Sequence, residues 1–176
     1  RSSRQRLPLL RIKAAAARTV GRLSRASGRG GGTTLPGRIL LRLDHDAINK
    51  LGRGLTKGST LISATNGKTT TASMLASILA DQGRHPVHNR SGSNMTWGVA
   101  TALLEEKGDE GLFEVDEAWL PEVSRRLKPR TILLGNLFRD QLDRYGETEM
   151  LADACKALAA ELTPQTGFVL NADDPL

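Results

Sequence analysis

One short stretch of the sequence carries residue types that bind phosphate. Gly67, Lys68 and Thr69 follow an apolar run and precede a helical pattern. A glycine lets the backbone approach a polyphosphate, N–H groups at a helix start face its anionic oxygens, lysine adds positive charge, and threonine offers a hydroxyl to Mg²⁺. The general phosphate-loop pattern has a glycine five residues before Gly67, where this sequence has Ile62. We therefore expect either a short variant that binds a nucleoside triphosphate or an ordinary strand–turn–helix junction.

Polar clusters occur after four strand-like runs, including the one before this loop. They cover residues 65–68, 114–117, 136–143 and 171–174. In parallel sheets covered on both faces, ligands gather beyond the carboxyl ends of the strands. Mg²⁺ bound together with phosphate typically takes one or two carboxylates, and Glu114, Asp116 and Asp140 are available. The sequence therefore predicts a nucleotide and Mg²⁺ site at one edge of a sheet.

The elements that must position these residues alternate between strand and helix. This pattern predicts an α/β fold, a mainly parallel sheet with helices on both faces. Besides the strand before the loop, strands are expected near Val87 and over 112–115, 131–134 and 168–170. Helices are expected over 70–81, from Ser93 or Asn94 to Glu106, and over 120–127 and 147–162. The helix over 70–81 is expected to carry Met74, Leu75, Ile78 and Leu79 on one face.

The region before the loop differs in composition from the rest. The first 43 residues hold 11 of the 25 Lys and Arg and no Asp or Glu, whereas the other 14 basic residues accompany all 19 acidic ones. A slightly acidic body with a basic arm argues against nucleic acid as a partner, and favours an anionic surface or a solvated tail. Residues 38–43 alternate like a strand, and Asp44 is expected to cap a helix to about Leu51.

Residues 4–25 have the spacing of a basic amphipathic helix. Its apolar side is predicted to consist of Leu7, Leu10, Ala14, Ala17 and Gly21. We expect this side either to contact an anionic membrane or to belong to a loosely attached helix. Residues 28–37 are glycine-rich and are expected to be a linker without regular structure. The predicted domains are thus a basic arm and linker over 1–37 and a nucleotide-binding domain over 38–176.

The other distinctive side chains have ordinary structural interpretations. Cys155 is the only cysteine, which excludes a disulfide or a multi-thiolate zinc site within this chain, and it is expected to be a small buried hydrophobe. Surface positions are expected for His45, His85 and His88, and packing roles for Trp97 and Trp119. No apolar run reaches membrane-spanning length and no signal peptide is evident. The absence of an initiating Met and the end shortly after a strand-like run suggest a fragment.

Five motifs together give the chain a family resemblance. They are ATNGKT at 64–69, SN at 93–94, FEVDEA at 113–118, NLFRDQLDRYG at 136–146 and NADD at 171–174. With these motifs the sequence resembles the ATP-binding central domain of the Mur ligases over nearly its whole length, and most closely the synthetases that amidate lipid II. It departs from the family at Ala64, where a glycine is usual, and at Gln141, where most members have a histidine that binds a second Mg²⁺.

The resemblance implies roles for matching residues. Lys68 would contact the β and γ phosphates, Thr69 and Glu114 would hold Mg²⁺ between them, and Asp140 would support the second metal region. Asn94 would lie near the substrate. The nucleotide would also be contacted by Thr65, Asn66, Gly67, Thr70, Asn136, Asn171 and Asp173. Most relatives have a carbamoylated lysine close to the position of Lys156, for which a solvated lysine is the alternative.

The same resemblance implies an activity. The expected enzyme uses ATP and Mg²⁺ to amidate the α-carboxyl of D-glutamate in lipid II through an acyl-phosphate, in the cytoplasm or at the inner face of the cell membrane. A glutaminase subunit of the GatD type would supply ammonia, and zinc would be bound only if a four-cysteine ribbon lies beyond residue 176. Two alternatives are a Mur ligase or folylpolyglutamate synthase that adds an amino acid, and a nucleotide-binding module without ligase chemistry. Gln141 and the EVDEA sequence at 114–118 argue against the first.

Overall fold

The computed structural model of the protein describes residues 3–26, 34–89, 93–136 and 147–173. Within them, the strands are β1 (Ser59–Ser63), β2 (Val87–His88), β3 (Gly111–Glu114), β4 (Thr131–Leu134) and β5 (Gly167–Leu170). The helices are α1 (Ser3–Ala26), α2 (Leu35–Leu43), α3 (Ala47–Gly52), α4 (Lys68–Asp81), α5 (Thr96–Glu105), α6 (Leu120–Leu127) and α7 (Glu147–Glu161). The strands pair in parallel in the order β2-β3-β1-β4-β5.

Alternate residues of the central strands pack against different helices. Leu61 and Phe113 lie in a core with buried residues of α3, α5, α6 and α7, whereas Ile62 and Leu112 pack against Ala72 and Leu79 of α4. Because side chains alternate along a strand, these two cores lie on opposite faces of the sheet. Helices thus cover both faces, and the predicted α/β fold is confirmed.

The strand register brings the predicted polar clusters to one edge. Ile62 near the end of β1 pairs with Glu114 at the end of β3 and with Leu133 in β4. After β1 the chain passes through α4 to β2, beyond β3, while β4 lies on the other side of β1. The carboxyl end of β1 is therefore a point where the strand order changes direction, which is where such sheets bind ligands.

The segment before β1 differs from the prediction. Residues 35–43 form helix α2, so the strand expected over 38–43 and the irregular structure expected through residue 37 are wrong. Pro36 lies in the first helical turn, where a missing N–H costs no hydrogen bond. A Cβ on Gly37 would lie 1.9 Å from the carbonyl oxygen of Trp97 in α5, so this glycine allows α2 and α5 to cross closely. The predicted division of the chain at residue 37 falls within α2.

Helix α1 is docked on the domain through part of its predicted apolar side. Buried positions recur at Leu10, Ala14, Ala17 and Gly21, and they pack with residues that include Leu40 of α2. The side chain of Leu7 lies outside those that the structure describes. Because this side is buried against α2 and α5, it is not available to contact a membrane, and the helix is not loosely attached.

The prediction that Asp44 caps a helix is wrong. Helix α3 begins at Ala47, and Asp46 occupies the capping position without a side-chain hydrogen bond. The Asp44 carboxylate instead accepts hydrogen bonds from Lys13 of α1 at 3.3 Å and from Lys50 of α3 at 2.6 Å. Burial alone would raise the pKa of Asp44, but these ammonium groups outweigh it and hold that pKa below its ordinary value. Asp44 thereby ties α1 to α3.

Two helices after β1 differ in detail from the prediction. In α4, Met74 and Ile78 are 62% and 54% exposed, because the helix buries only a narrow face around Leu79. Helix α5 begins at Thr96 after Met95, so neither Ser93 nor Asn94 caps it. The expected packing roles of the tryptophans are confirmed: the Trp97 and Trp119 rings meet edge to face at 5.1 Å between centroids.

Candidate nucleotide site

The loop between β1 and α4 has the conformation of a phosphate-binding turn. It spans residues 64–67, and α4 begins at Lys68 with Gly67 at its N-cap. Gly67 has φ 81°, a left-handed conformation that glycine adopts without steric cost. There is space for a Cβ at this position, so glycine is favoured here by the backbone conformation and not by close packing. The first N–H groups of α4 have no partner within the helix and carry its positive dipole end. The loop can therefore hold an anion at the edge where β1 ends.

The ammonium group of Lys68 is held by the protein itself. It donates hydrogen bonds to the carbonyl oxygens of Ala64 and Thr65, and to Glu117 Oε2 at 3.0 Å. The Lys68 and Glu117 side chains are only 13% and 10% exposed. A phosphate would therefore have to replace Glu117, or join it, as a partner of this lysine. Nothing in the sequence motif had indicated Glu117 as a partner of Lys68.

Thr69 and Glu114 meet in the structure, as the predicted Mg²⁺ role requires. The Thr69 hydroxyl donates a hydrogen bond of 2.7 Å to Glu114 Oε2, and Glu114 is 3% exposed. The second carboxylate oxygen of Glu114, Oε1, is buried and has no hydrogen-bond partner among the described residues. A cleft of about 350 Å³ opens beside the two residues. A hydroxyl and an unsatisfied carboxylate oxygen are hard ligands that fit Mg²⁺.

His88 lies in the same cleft, and its predicted surface position is wrong. The residue is 5% exposed because it belongs to strand β2 and packs beside β3. Its Nδ1 donates to the carbonyl oxygen of Leu112 at 2.8 Å, since a carbonyl can only accept. The other ring nitrogen, Nε2, lies 3.8 Å from Glu114 Oε1. The ring thus faces the oxygen that lacks a partner.

Asn89 fixes the backbone of Glu114. Its Oδ1 accepts a hydrogen bond from Glu114 N at 2.8 Å, and its Nδ2 donates to Glu114 O at 2.8 Å and to Ser93 O at 2.7 Å. Strand β2 has only two residues and does not extend far enough to pair with Glu114. The Asn89 side chain therefore supplies the hydrogen bonds to the Glu114 backbone that a longer strand would make. Sequence analysis missed Asn89, and the signal it offered was a lone amide directly after the short strand expected near Val87.

Further predicted site residues meet at the ends of β4 and β5. Thr65 N donates to Asn136 O at 3.3 Å, and Asn171 Nδ2 donates to Asn136 Oδ1 at 2.8 Å. The backbone N–H of Asp173 donates to Asn171 Oδ1 at 3.1 Å. These hydrogen bonds link residues that were predicted to line one side of the nucleotide cleft. Asp140 and Gln141 lie outside the described residues, so their predicted roles are neither supported nor opposed.

The remaining candidates occupy the rim. The carbonyl oxygen of Asn94 accepts a hydrogen bond from Asp116 N at 2.8 Å, which places Asn94 beside the end of β3. The carboxylate of Asp116 accepts from Ala118 N at 3.1 Å and so stabilises a turn. Asn66 and Thr70 are exposed beside the loop. Their roles in binding nucleotide or substrate stay predictions.

Two side chains of α7 match their ordinary interpretations. Cys155 is buried, and burial, followed by the nearby charge of Glu117, raises the pKa of its thiol. This thiol therefore remains protonated at neutral pH and is a poor nucleophile. Lys156 is 73% exposed and lies 3.8 Å from Asp153, as expected for a solvated lysine.

Comparison with known proteins shows what the chain is similar to. The family model of the Mur ligase middle domain matches residues 62–176. The MurT subunit of lipid II isoglutaminyl synthase (glutamine-hydrolyzing) from Staphylococcus aureus strain N315 is 36% identical over 157 residues, covering 86% of this chain and 35% of that protein. The MurT subunit from Streptococcus pneumoniae strain R6 is 33% identical over 156 residues, covering 84% of this chain and 33% of that protein.

Other relatives are ligases with different names. A UDP-N-acetylmuramoylalanine–D-glutamate ligase from Acidobacterium capsulatum is 34% identical over 128 residues, covering 71% of this chain and 27% of that protein. The chain thus spans about a third of the length of its MurT relatives. A crystal structure of MurF from Acinetobacter baumannii superposes with a TM-score of 0.60 at 21% identity, covering 73% of this chain and 30% of that one. This structural likeness concerns the fold alone.

Proposed function

The chain belongs to the Mur ligase family, and on that premise we propose that it forms the ATP-binding part of an ATP-dependent amide ligase of peptidoglycan synthesis. The observation that carries the proposal is the convergence of Lys68, Thr69 and Glu114 at the carboxyl ends of β1 and β3. These side chains provide a cation, a hydroxyl and a carboxylate beside a loop shaped for phosphate. The relatives matched in sequence are named as synthase subunits or ligases.

The proposed reaction has two steps. A carboxylate oxygen of the acceptor attacks the γ-phosphorus of ATP, and the bond to ADP breaks to give an acyl-phosphate. An amine nitrogen then attacks the acyl carbon, the carbon–oxygen bond to phosphate breaks, and a proton leaves the nitrogen. Lys68 would exchange Glu117 for phosphate oxygens and stabilise charge on the transferred phosphoryl group. Thr69 and Glu114 would hold Mg²⁺, which neutralises phosphate charge when bound.

The MurT relatives support a specific acceptor and amine. We place the chain in an enzyme that converts the α-carboxyl of D-glutamate in lipid II to the amide of D-isoglutamine with ammonia. The names of the two MurT relatives include lipid II, glutamine hydrolysis and a subunit, which together suggest this acceptor and a partner protein. The match with a D-glutamate ligase supports a second candidate, an enzyme that adds an amino acid instead of ammonia.

The ammonia is proposed to come from a separate glutaminase subunit of the GatD type. Glutamine hydrolysis ordinarily needs an activated nucleophile, most often a cysteine thiolate paired with a histidine. The single cysteine of this chain, Cys155, is buried and its raised pKa keeps the thiol protonated. The chain itself therefore offers no thiolate for this reaction. Zinc remains a prediction tied to cysteines beyond residue 176.

The proposed substrates also predict a location. ATP and newly made lipid II are both available in the cytoplasm at the inner face of the cell membrane, where we place the enzyme. None of the helices in the part of the chain that the structure describes is long and apolar enough to cross a membrane.

One assay separates the proposed function from its rivals. The full-length protein is incubated with ATP, Mg²⁺ and either lipid II or UDP-N-acetylmuramoylalanine as acceptor. Ammonium, glutamine or D-glutamate is added, with and without the glutaminase. We expect amidation with ammonium, and with glutamine only when the glutaminase is present. Addition of D-glutamate would support the second candidate. A nucleotide-binding module without ligase chemistry would give no product, and hydroxylamine would trap no acyl-phosphate.

A further inference from the structure

Helix α1 has an inner face that fixes it to the domain. The guanidinium group of Arg18 donates two hydrogen bonds to Leu104 O at the end of α5, at 2.9 and 2.6 Å. Arg25 forms an ion pair with Glu105 at 2.9 Å, and Lys13 forms one with Asp44 at 3.3 Å. These contacts, together with the buried stripe from Leu10 to Gly21, determine which side of α1 points outward.

The outer face of α1 is apolar and exposed. Leu9, Ile12, Val20 and Leu23 are 54%, 67%, 39% and 65% exposed. At 100° per residue they lie on one side of the helix, together with the exposed small residues Ala15, Ala16 and Thr19. The Thr19 hydroxyl donates to the carbonyl oxygen of Ala15, so even this polar group is satisfied within the helix. No charged side chain occurs on this face, which runs for about 21 Å along the axis.

Cations of α1 border this outer face, and α1 itself carries no acidic residue. Arg11 and Arg22 are exposed between the outer and inner faces, and among the described residues neither forms an ion pair. Helix α1 contains no Asp or Glu, nor does any other position up to residue 43. An exposed apolar face next to unpaired arginines is typical of a helix that lies in the interface of a bilayer.

We propose that the outer face of α1, made of Leu9, Ile12, Val20 and Leu23 with Arg11 and Arg22 beside it, binds the surface of an anionic lipid bilayer. The apolar side chains would enter the boundary between headgroups and acyl chains, and the arginines would pair with lipid phosphates. Charge favours this occupant over a second copy of the chain. In a symmetric pair of α1 helices, the same arginines would face each other and α1 would offer no acidic residue to pair with them.

The inference deepens the proposed location of the enzyme and rests on the proposed function only for its biological setting. Helix α1 packs against α2 and α5 and contributes no residue to the candidate nucleotide site, so the test needs neither ATP nor an acceptor. Failure of vesicle binding with intact amidation would refute this inference alone. Intact vesicle binding without amidation would refute the proposed function alone.

The test measures flotation of the full-length protein with vesicles of phosphatidylcholine, with and without phosphatidylglycerol, at low and high salt. One variant combines Ile12→Gln and Leu23→Gln. Its matched control combines Met74→Gln and Ile78→Gln, which removes two apolar side chains of similar exposure from α4. A third variant combines Arg11→Gln and Arg22→Gln. Thermal unfolding of each variant shows that the fold is retained.

We expect wild type and the α4 control to float with anionic vesicles and to bind neutral vesicles much more weakly. The α1 apolar variant should bind at least about tenfold more weakly at either salt concentration. The arginine variant should lose about tenfold at low salt and much less at high salt, because salt screens the attraction. Equal flotation of wild type and the α1 apolar variant would overturn the proposal. A second result would also overturn it. In that case the wild-type protein does not bind vesicles, and the variant with Ile12→Gln and Leu23→Gln loses self-association or glutaminase binding.

Discussion

Replacing Glu117 by Gln should tighten nucleotide binding. In the structure, Glu117 Oε2 lies 3.0 Å from the Lys68 ammonium, and both side chains are largely buried. A phosphate that recruits Lys68 must compete with this carboxylate. Glutamine keeps the size of the side chain and can still accept a hydrogen bond, but it removes the competing negative charge.

The size of the effect follows from the strength of that contact. A hydrogen bond to a charged group contributes about 1.5 to 3 kcal/mol, and a neutral one contributes about 1 kcal/mol. The difference, about 0.5 to 2 kcal/mol, is the advantage that phosphate gains when Glu117 becomes Gln. It corresponds to a Kd for ATP or a non-hydrolysable analogue that is lower by about twofold to thirtyfold.

The assay is calorimetric titration of the full-length protein with the analogue, in the presence and absence of Mg²⁺. Asp116→Asn is the matched control, because it removes a neighbouring carboxylate that accepts a hydrogen bond from Ala118 N. In a Lys68→Ala background the effect of Glu117→Gln should vanish, since the competition acts through that lysine. Unchanged or weaker binding by Glu117→Gln would refute this reasoning. An equal gain in Asp116→Asn would assign the effect to general charge instead.

Three further substitutions test how the structure supports the site. Asn89→Ala should lower the free energy of unfolding by about 3 kcal/mol in chemical denaturation, because it leaves the Glu114 backbone unpaired in a buried position; a loss below about 1 kcal/mol would contradict this role. Gly37→Ala should destabilise the protein by more than about 1 kcal/mol, since its Cβ would collide with Trp97 O, and an unchanged melting temperature would disprove the close crossing of α2 and α5. Asp44→Asn should destabilise the protein at neutral pH, and the difference from wild type should shrink as pH falls below about 4, because the lowered pKa of Asp44 stabilises the fold only while the group is ionised. If the difference in unfolding free energy between Asp44→Asn and wild type stayed constant as the pH fell, this role of Asp44 would be contradicted.

The sequence predicted the sheet and the loop because their signals are local. Each central strand is a short apolar run, and the residues that follow it reach the same edge when strands pair in parallel. Lys68, Thr69 and Glu114 therefore came together as expected. Glycine at position 67 could be inferred from the motif, and the structure shows that its conformation requires it.

The parts that sequence analysis missed depend on contacts between distant residues. Glu117 meets Lys68 only after β3 has paired with β1, and Asn89 meets Glu114 only after β2 has paired with β3. The local sequence does not show which strands are neighbours in the sheet. Pro36 and Gly37 were read as helix breakers, but Pro is tolerated in a first turn and this Gly is needed for close packing.

The outer face of α1 shows a similar limit. The spacing predicted a helix with one apolar side that includes Leu10 and Gly21, and the second apolar stripe, which includes Ile12 and Leu23, was missed. The stripe from Leu10 to Gly21 has small residues that allow close contact with α2, and the bulkier stripe with Ile12 and Leu23 is left outside. Packing against α2 and α5 decided the choice.

The central claim, that this chain serves an amide ligase acting through an acyl-phosphate, is tested most directly by isotope transfer. The full-length enzyme is given ATP, ammonium and lipid II whose acceptor carboxylate carries a heavy isotope at both oxygens. Our account predicts that one labelled oxygen appears in the released phosphate for each amide formed, and that Lys68→Ala abolishes both products. Amide formation with unlabelled phosphate, or full activity in Lys68→Ala, would contradict it.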